Sequence, residues 1–162
     1  MTGCGDMHWS LSKAILVDTN VFLLIVIGKT EKRLIPAFKR TSTYCEEDYD
    51  RLLRVLSGFS RIFVTPNILT EVSNLLGQLT DPKRSDARAV LGVILSSLVE
   101  IYVPSASISD SIDFRRFGLT DAGIIALPSD DVLILTDDFA LYGKLLANGR
   151  QVINFNHLRF RQ

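Results

Sequence analysis

Short apolar runs recur along this chain without a polar residue at every second position. Ala14-Ile15-Leu16-Val17, Arg61-Ile62-Phe63-Val64 and Val132-Leu133-Ile134-Leu135 are the clearest. A strand with one wet face alternates apolar and polar side chains, whereas a strand that is apolar throughout is covered on both faces. Each run is also too short for a buried helix. Between the runs, apolar residues fall at helical spacing.

In chain order the pattern begins with a strand at 14–17. A helix follows, starting over 21–27 and ended by Gly28. A second helix covers 46–57, carrying Leu52, Leu53 and Leu56, with Thr43 as its N-cap and Glu46 completing a capping box. Strand 61–64 leads through Thr65-Pro66, a favourable N-cap and first turn, into a helix reaching Leu79. A helix over 85–97 and a strand over 100–103 come next. Residues 107–116 read as either loop or short helix. A helix then opens on Thr120 as N-cap, followed by a strand at 132–135. The helix Phe139–Ala147 is closed by Asn148-Gly149, and a short strand follows at Val152-Ile153. Strands alternating with helices predict a three-layer α/β/α fold around a central parallel sheet of about five strands.

The length of 162 residues suits one domain. The reading is therefore a single domain over 1–162, with a flexible arm at 1–12 and a helical insertion at 28–60. Lys and Arg together number 18 and so do Asp and Glu, so net charge gives no global sign of nucleic-acid binding. Cys4 and Cys45 lack metal-site spacing and read as free thiols of a reducing compartment. The N-terminus lacks the layout of a secretory leader. The apolar run 21–27 falls far short of the roughly 20 residues that a membrane span needs. A cytoplasmic protein without membrane contact is expected.

The acidic residues fall at informative places. Asp18 follows the first strand, and Asp137-Asp138 follow the fourth. In an open parallel sheet, ligands bind beyond the carboxyl ends of the strands, where the strand order reverses. Strands one and four are candidates for neighbours at such a point. Asp121 opens a helix, and Glu71 lies in the second turn of another. Four segments can therefore bring carboxylates to one cleft. Taken singly, Asp18 reads as a helix cap, Asp121 as a first-turn acid favoured by the helix dipole, Glu71 as a solvated helix residue, and the doublet as turn and cap. Their joint placement points elsewhere. Clustered carboxylates repel unless cations neutralise them. An all-oxygen set without His or Cys suits Mg²⁺ or Mn²⁺, and such ions support phosphodiester hydrolysis.

These residues carry a family resemblance. ILVDTNVFLL resembles the first motif of PIN-domain nucleases, TPNILTEVSNLL the second, LTDAGIIAL the third and VLILTDDFAL the fourth, a T-x-D after a strand. The match extends from about residue 13 to about residue 155. The resemblance implies a Rossmann-like sheet of strand order 3-2-1-4-5 and a nuclease dependent on Mg²⁺ or Mn²⁺, usually an endoribonuclease. It assigns metal or water to Asp18, Glu71, Asp121 and Asp138. Asp138 takes the T-x-D slot, with Asp137 as its rival. Asn20 and Thr136 become orienting groups. Many relatives are toxins of toxin–antitoxin pairs, and many are homodimers, so RNA, an antitoxin protein and a second copy are the expected partners. The stretch 28–60 is longer than in the compact toxins. A structure-specific DNA nuclease and a catalytically silent interaction module are the alternatives.

His8 and His157 lie away from the acidic motifs and read as surface residues. Lys32, Arg33, Lys39, Arg40, Lys83, Arg84, Arg115, Arg116, Arg159 and Arg161 form small basic groups, open to phosphate contact or plain solvation. Phe155 and Phe160 are candidates for a dimer or substrate edge.

Overall fold

The computed structural model describes residues 13–128 and 131–160; the proposed arm at 1–12 lies outside them, as do Cys4, His8 and Arg161. β1 (Ala14–Val17), β2 (Arg61–Val64), β3 (Val99–Glu100), β4 (Val132–Thr136) and β5 (Val152–Asn154) form one sheet in the order β3-β2-β1-β4-β5. Every pairing is parallel. The sheet, its order and its flanking helices make the expected three-layer α/β/α architecture.

The central strand is dry on both faces. Ile15, Leu16 and Val17 have no exposed surface, and neither do Ile134 and Leu135 beside them. Burying side chains of this size is worth about 1.5–3 kcal/mol each, which is why continuous apolarity marked these strands so well. β3 is the exception. Both of its residues are exposed at the sheet edge, and it lies slightly earlier than the apolar run that was expected to form it.

Helix α1 (Thr19–Thr30) is buried over nearly its whole length, including all of 21–28. It packs on α4 (Pro66–Leu76) and α5 (Lys83–Leu95), which also contact each other. α7 (Ile112–Ile125) packs on α8 (Phe139–Ala147). Right-handed crossovers require this division. Steps from β1 to β3 keep helices on one face, and the return to β4 and β5 places them on the other. The chain therefore reverses direction across the sheet between β1 and β4.

Several boundaries differ from expectation. Gly28 does not end α1, which continues to Thr30. Its missing side chain instead makes room for Tyr49 of α3 (Glu46–Leu56): a Cβ there would lie 2.2–2.6 Å from three Tyr49 ring carbons. The N-cap of α3 is Cys45 rather than Thr43. Its N–H donates to Asp48 at 3.0 Å, so the capping box closes on Asp48 and not on Glu46. α4 stops at Leu76, before Leu79. The ambiguous stretch becomes α6 (Ser105–Ile108) and the first part of α7, with Ser111 capping α7 by accepting from Phe114 N–H. Two further short helices, α2 (Leu34–Ala37) and α9 (Phe155–Arg159), had no clear sequence signal. Phe155 is fully buried, so it belongs to the core and not to an exposed edge, while Phe160 is exposed. No helix among the described residues is long and apolar enough to cross a membrane.

Gly28→Ala forces the Tyr49 ring to shift within a packed contact. Overpacking of this kind costs about 1–3 kcal/mol, so the melting temperature is expected to fall by roughly 3–8 °C. Combining it with Tyr49→Leu should cost less than the sum of the single changes. Full additivity in thermal melts would show that the contact is not what holds Gly28.

Candidate active site

β1 and β4 pair in register, with Val17 beside Leu135, and the Asp18 N–H donates to the Leu135 carbonyl at 3.0 Å. This brings the residues that follow each strand together at the reversal of strand order. Asp18, Thr19, Asn20, Glu71, Leu75, Asp121 and Asp138 line one cavity of about 200 Å³. The four expected acidic segments thus reach a single cleft, and Asp138 rather than Asp137 faces it.

Each carboxylate is held differently. Asp18 is 5% exposed. It occupies the N-cap position of α1 without making the capping bond through its side chain; its carboxylate accepts a short hydrogen bond from the Thr136 hydroxyl. The same hydroxyl oxygen accepts from the Asp138 N–H at 3.0 Å. Thr136 therefore ties the end of β1 to the start of α8. Glu71 accepts from the Thr19 hydroxyl at 3.0 Å on one oxygen and from the Thr120 hydroxyl at 2.6 Å on the other. Thr120 is thus not a helix cap. α7 kinks at Gly118, whose φ of 82° favours glycine, and Thr120 lies just past the kink with its hydroxyl turned to Glu71. Asp138 caps α8, one oxygen accepting from Leu141 N–H at 2.8 Å. The half-buried Asp121 carboxylate accepts no hydrogen bond from the protein among the described residues.

Asp137 has a separate setting. Asn20 Nδ2 donates to one of its oxygens at 3.1 Å, the Tyr44 hydroxyl donates to the other, and Asn156 Nδ2 donates to its backbone carbonyl at 2.9 Å.

The electrostatics follow from this geometry. Burial pushes the Asp18 carboxyl up to about 7; the Thr136 hydrogen bond opposes the rise, and the charges of Asp121 and Asp137 add to it. Burial also pushes Asp121 up to about 6, helped by Asp138 and Glu71. No Lys or Arg pairs with any of these carboxylates among the described residues. Several basic residues are paired elsewhere: Lys32 with Asp50, Lys83 with Glu31, Arg84 with Asp81 and Arg159 with Asp48. His157 is exposed, against the rings of Phe139 and Tyr142. Cys45 is a free, exposed cysteine.

The donor set is hard and anionic, which fits Mg²⁺ or Mn²⁺ in chemistry. Among the described residues, no three Asp, Glu, His or Cys side chains converge as a ready-made ligand cage.

Sequence reasoning missed Thr19, Thr120 and Tyr44. The two threonines sit beside motif acids, so the hydroxyl next to each carboxylate was a usable signal. Tyr44 carries no local signal. Compared with protein-family models and with curated proteins, the chain matches none of either.

The raised Asp18 pKa has a consequence for stability. An acid whose folded pKa lies above its unfolded value binds more protons in the folded state between the two values. Its contribution to stability is therefore lost as pH rises from about 4 to about 7. Asp18→Asn removes that penalty. The variant and the wild type should melt alike below about pH 4, and by about pH 8 the variant should be the more stable by about 4 kcal/mol, or roughly 8–16 °C. Melting curves without divalent ions across that range test this; a gap independent of pH would show that burial has not shifted Asp18.

Proposed function

We propose that this protein is a PIN-like, metal-dependent nuclease that hydrolyses phosphodiester bonds, with RNA as its substrate. The observation that carries the reading is Asp121: a half-buried carboxylate without a hydrogen bond or cation partner among the described residues, facing three more acids in one cavity. Repulsion of that kind is tolerated where cations complete the site. Asp18, Asp121 and Asp138 would hold Mg²⁺ or Mn²⁺, with Glu71 beside them. When bound, such an ion supplies Lewis-acid activation of the phosphate and lowers the pKa of its water.

The chain's own residues supply orientation. Thr136 fixes one oxygen of Asp18. Thr19 and Thr120 hold both oxygens of Glu71 from opposite sides, leaving each a second lone pair. Glu71 is thereby placed to accept a proton from water in the cavity. Asp138 spends one oxygen on the α8 cap and keeps the other free of protein partners among the described residues. Preorganised donors and acceptors of this kind need no rearrangement during the reaction.

RNA as substrate comes from the resemblance of the four motif segments. So do a role as the toxin of a toxin–antitoxin pair and a homodimeric state; a cytoplasmic location is proposed from the two cysteines, read as free thiols, and from the N-terminal sequence. The deciding assay incubates the wild type and Asp18→Asn with single-stranded RNA and with DNA, in Mg²⁺ or Mn²⁺. Wild type is expected to cut RNA, with Asp18→Asn slower by roughly 100-fold or more. Equal rates would remove Asp18 from the chemistry, and DNA cut while RNA stays whole would reassign the substrate. Mn²⁺ should also raise the wild-type melting temperature more at about pH 8 than at about pH 5, because it competes with protons for the carboxylates.

A further inference from the structure

The acidic doublet after β4 places two carboxylates side by side, and the structure gives them different surroundings. Asp138 lines the cavity. Asp137 does not, and both of its oxygens already accept from neutral donors, Asn20 Nδ2 and the Tyr44 hydroxyl. An ionised carboxylate only accepts hydrogen bonds, so the amide of Asn20 must turn its nitrogen toward Asp137. Its Oδ1 is the atom left over, and Asn20 lines the cavity.

Tyr44 is itself built into place. It is 3% exposed. The Arg159 guanidinium lies 4.7 Å from its ring centroid, and the ring of Phe155 packs at 6.1 Å. Arg159 is anchored in turn. It donates to the buried carboxylate of Asp48 at 3.0 Å and to Asn156 Oδ1 at 3.0 Å. Arg51 reaches the same Asp48 at 3.4 Å and the Arg159 carbonyl at 3.0 Å. Asn156 closes the ring of contacts by donating to the Asp137 carbonyl. Burial and the charge of Asp137 hold the Tyr44 phenol far above its ordinary range, so it remains a donor. The segment after α1 and the last described helix, α9, therefore meet on Asp137, one at its carboxylate and the other at its backbone carbonyl.

We propose that Asp137 is not a metal ligand but the pivot of a clamp, in which Tyr44 fixes Asp137 and Asp137 fixes Asn20 so that its Oδ1 accepts a hydrogen bond from the attacking water. Tyr44 and Asp137 are then positioning residues. Asn20 is the group of the clamp that reaches the reacting atoms. This rests on the nuclease reading for its chemistry, but the clamp itself can be tested without it.

The test compares wild type with Tyr44→Phe, Asp137→Asn and Asp138→Asn. Tyr44→Phe keeps the ring and removes only the donor, and its melting temperature reports whether packing survives. Three readouts are taken: Mn²⁺ affinity by calorimetry, the side-chain amide resonances of Asn20, and kcat with KM on single-stranded RNA. Tyr44→Phe should leave Mn²⁺ affinity within about twofold, shift the Asn20 amide resonances, and lower kcat about 10-fold with KM nearly unchanged. Asp137→Asn should weaken Mn²⁺ about threefold through lost long-range attraction, against about 100-fold for Asp138→Asn. Equal losses of Mn²⁺ affinity from the two Asn variants would overturn the proposal, as would Asn20 resonances unmoved in Tyr44→Phe. If no variant and no wild type cuts RNA or DNA while the metal and resonance results hold, the nuclease reading fails and the clamp stands.

Discussion

The parallel pairing of β1 with β4 is the constraint on which the site depends. It is the step at which the chain reverses direction across the sheet, and it aligns the ends of two strands that are 115 residues or more apart in sequence. Without that register Asp18 would not meet Thr136, and Thr136 could not join Asp18 to the start of α8. The dry strands around the join provide the stability against which charged groups are buried. Ile15, Leu16, Val17, Ile134 and Leu135 are sealed on both faces, so the carboxylates sit at the rim of the most stable part of the molecule. That placement desolvates Asp18 almost fully and Asp121 in part, while Glu71 and Asp138 stay exposed. The rise of Asp18 to about 7 and of Asp121 to about 6 is the electrostatic cost of being fixed at that rim.

Neutral hydroxyls are what make the cluster tolerable. Thr136, Thr19, Thr120 and Tyr44 each donate a hydrogen bond to a carboxylate oxygen. A lysine or arginine would neutralise the charge and fill the cavity. A hydroxyl stabilises an anion by hydrogen bonding, typically more strongly than it would a neutral acceptor, yet leaves the net charge available to a cation. Asp121 has no such donor among the described residues, so its share of the negative potential is left without a hydrogen-bond donor there.

Much of this was legible in the sequence, and the parts that were not share a cause. Strands β1 and β4 were clear because full burial makes almost every residue apolar, and β2 because its last two residues are buried. β3 was blurred because its two residues are exposed at an edge. The acids were found from their positions after strands and in early helical turns. Gly28 was misread because glycine ends helices in isolation, whereas here it admits a ring from α3. Thr120 was misread because a threonine before an aspartate looks like a cap, and only the approach of α4 shows that its hydroxyl serves Glu71. In both cases a local preference competed with a contact between distant segments, and the distant contact prevailed. Tyr44 is the extreme instance, since its partner lies 93 residues away.

That distance also explains the fourth acidic position. By spacing alone, Asp137 and Asp138 are close rivals, because adjacent residues in a turn share local propensities. Their environments separate them. Asp138 is the N-cap of α8, and the helix start aims its carboxylate at the cavity mouth. Asp137 points toward the segment after α1 and toward α9, where Asn20, Tyr44 and Asn156 take all three of its oxygens. A residue so enclosed would have to break two hydrogen bonds before its carboxylate could bind an ion, whereas Asp138 needs to break none on its second oxygen. The stretch between β1 and β2 thus reaches Asp137 through Tyr44, which does not itself line the cavity.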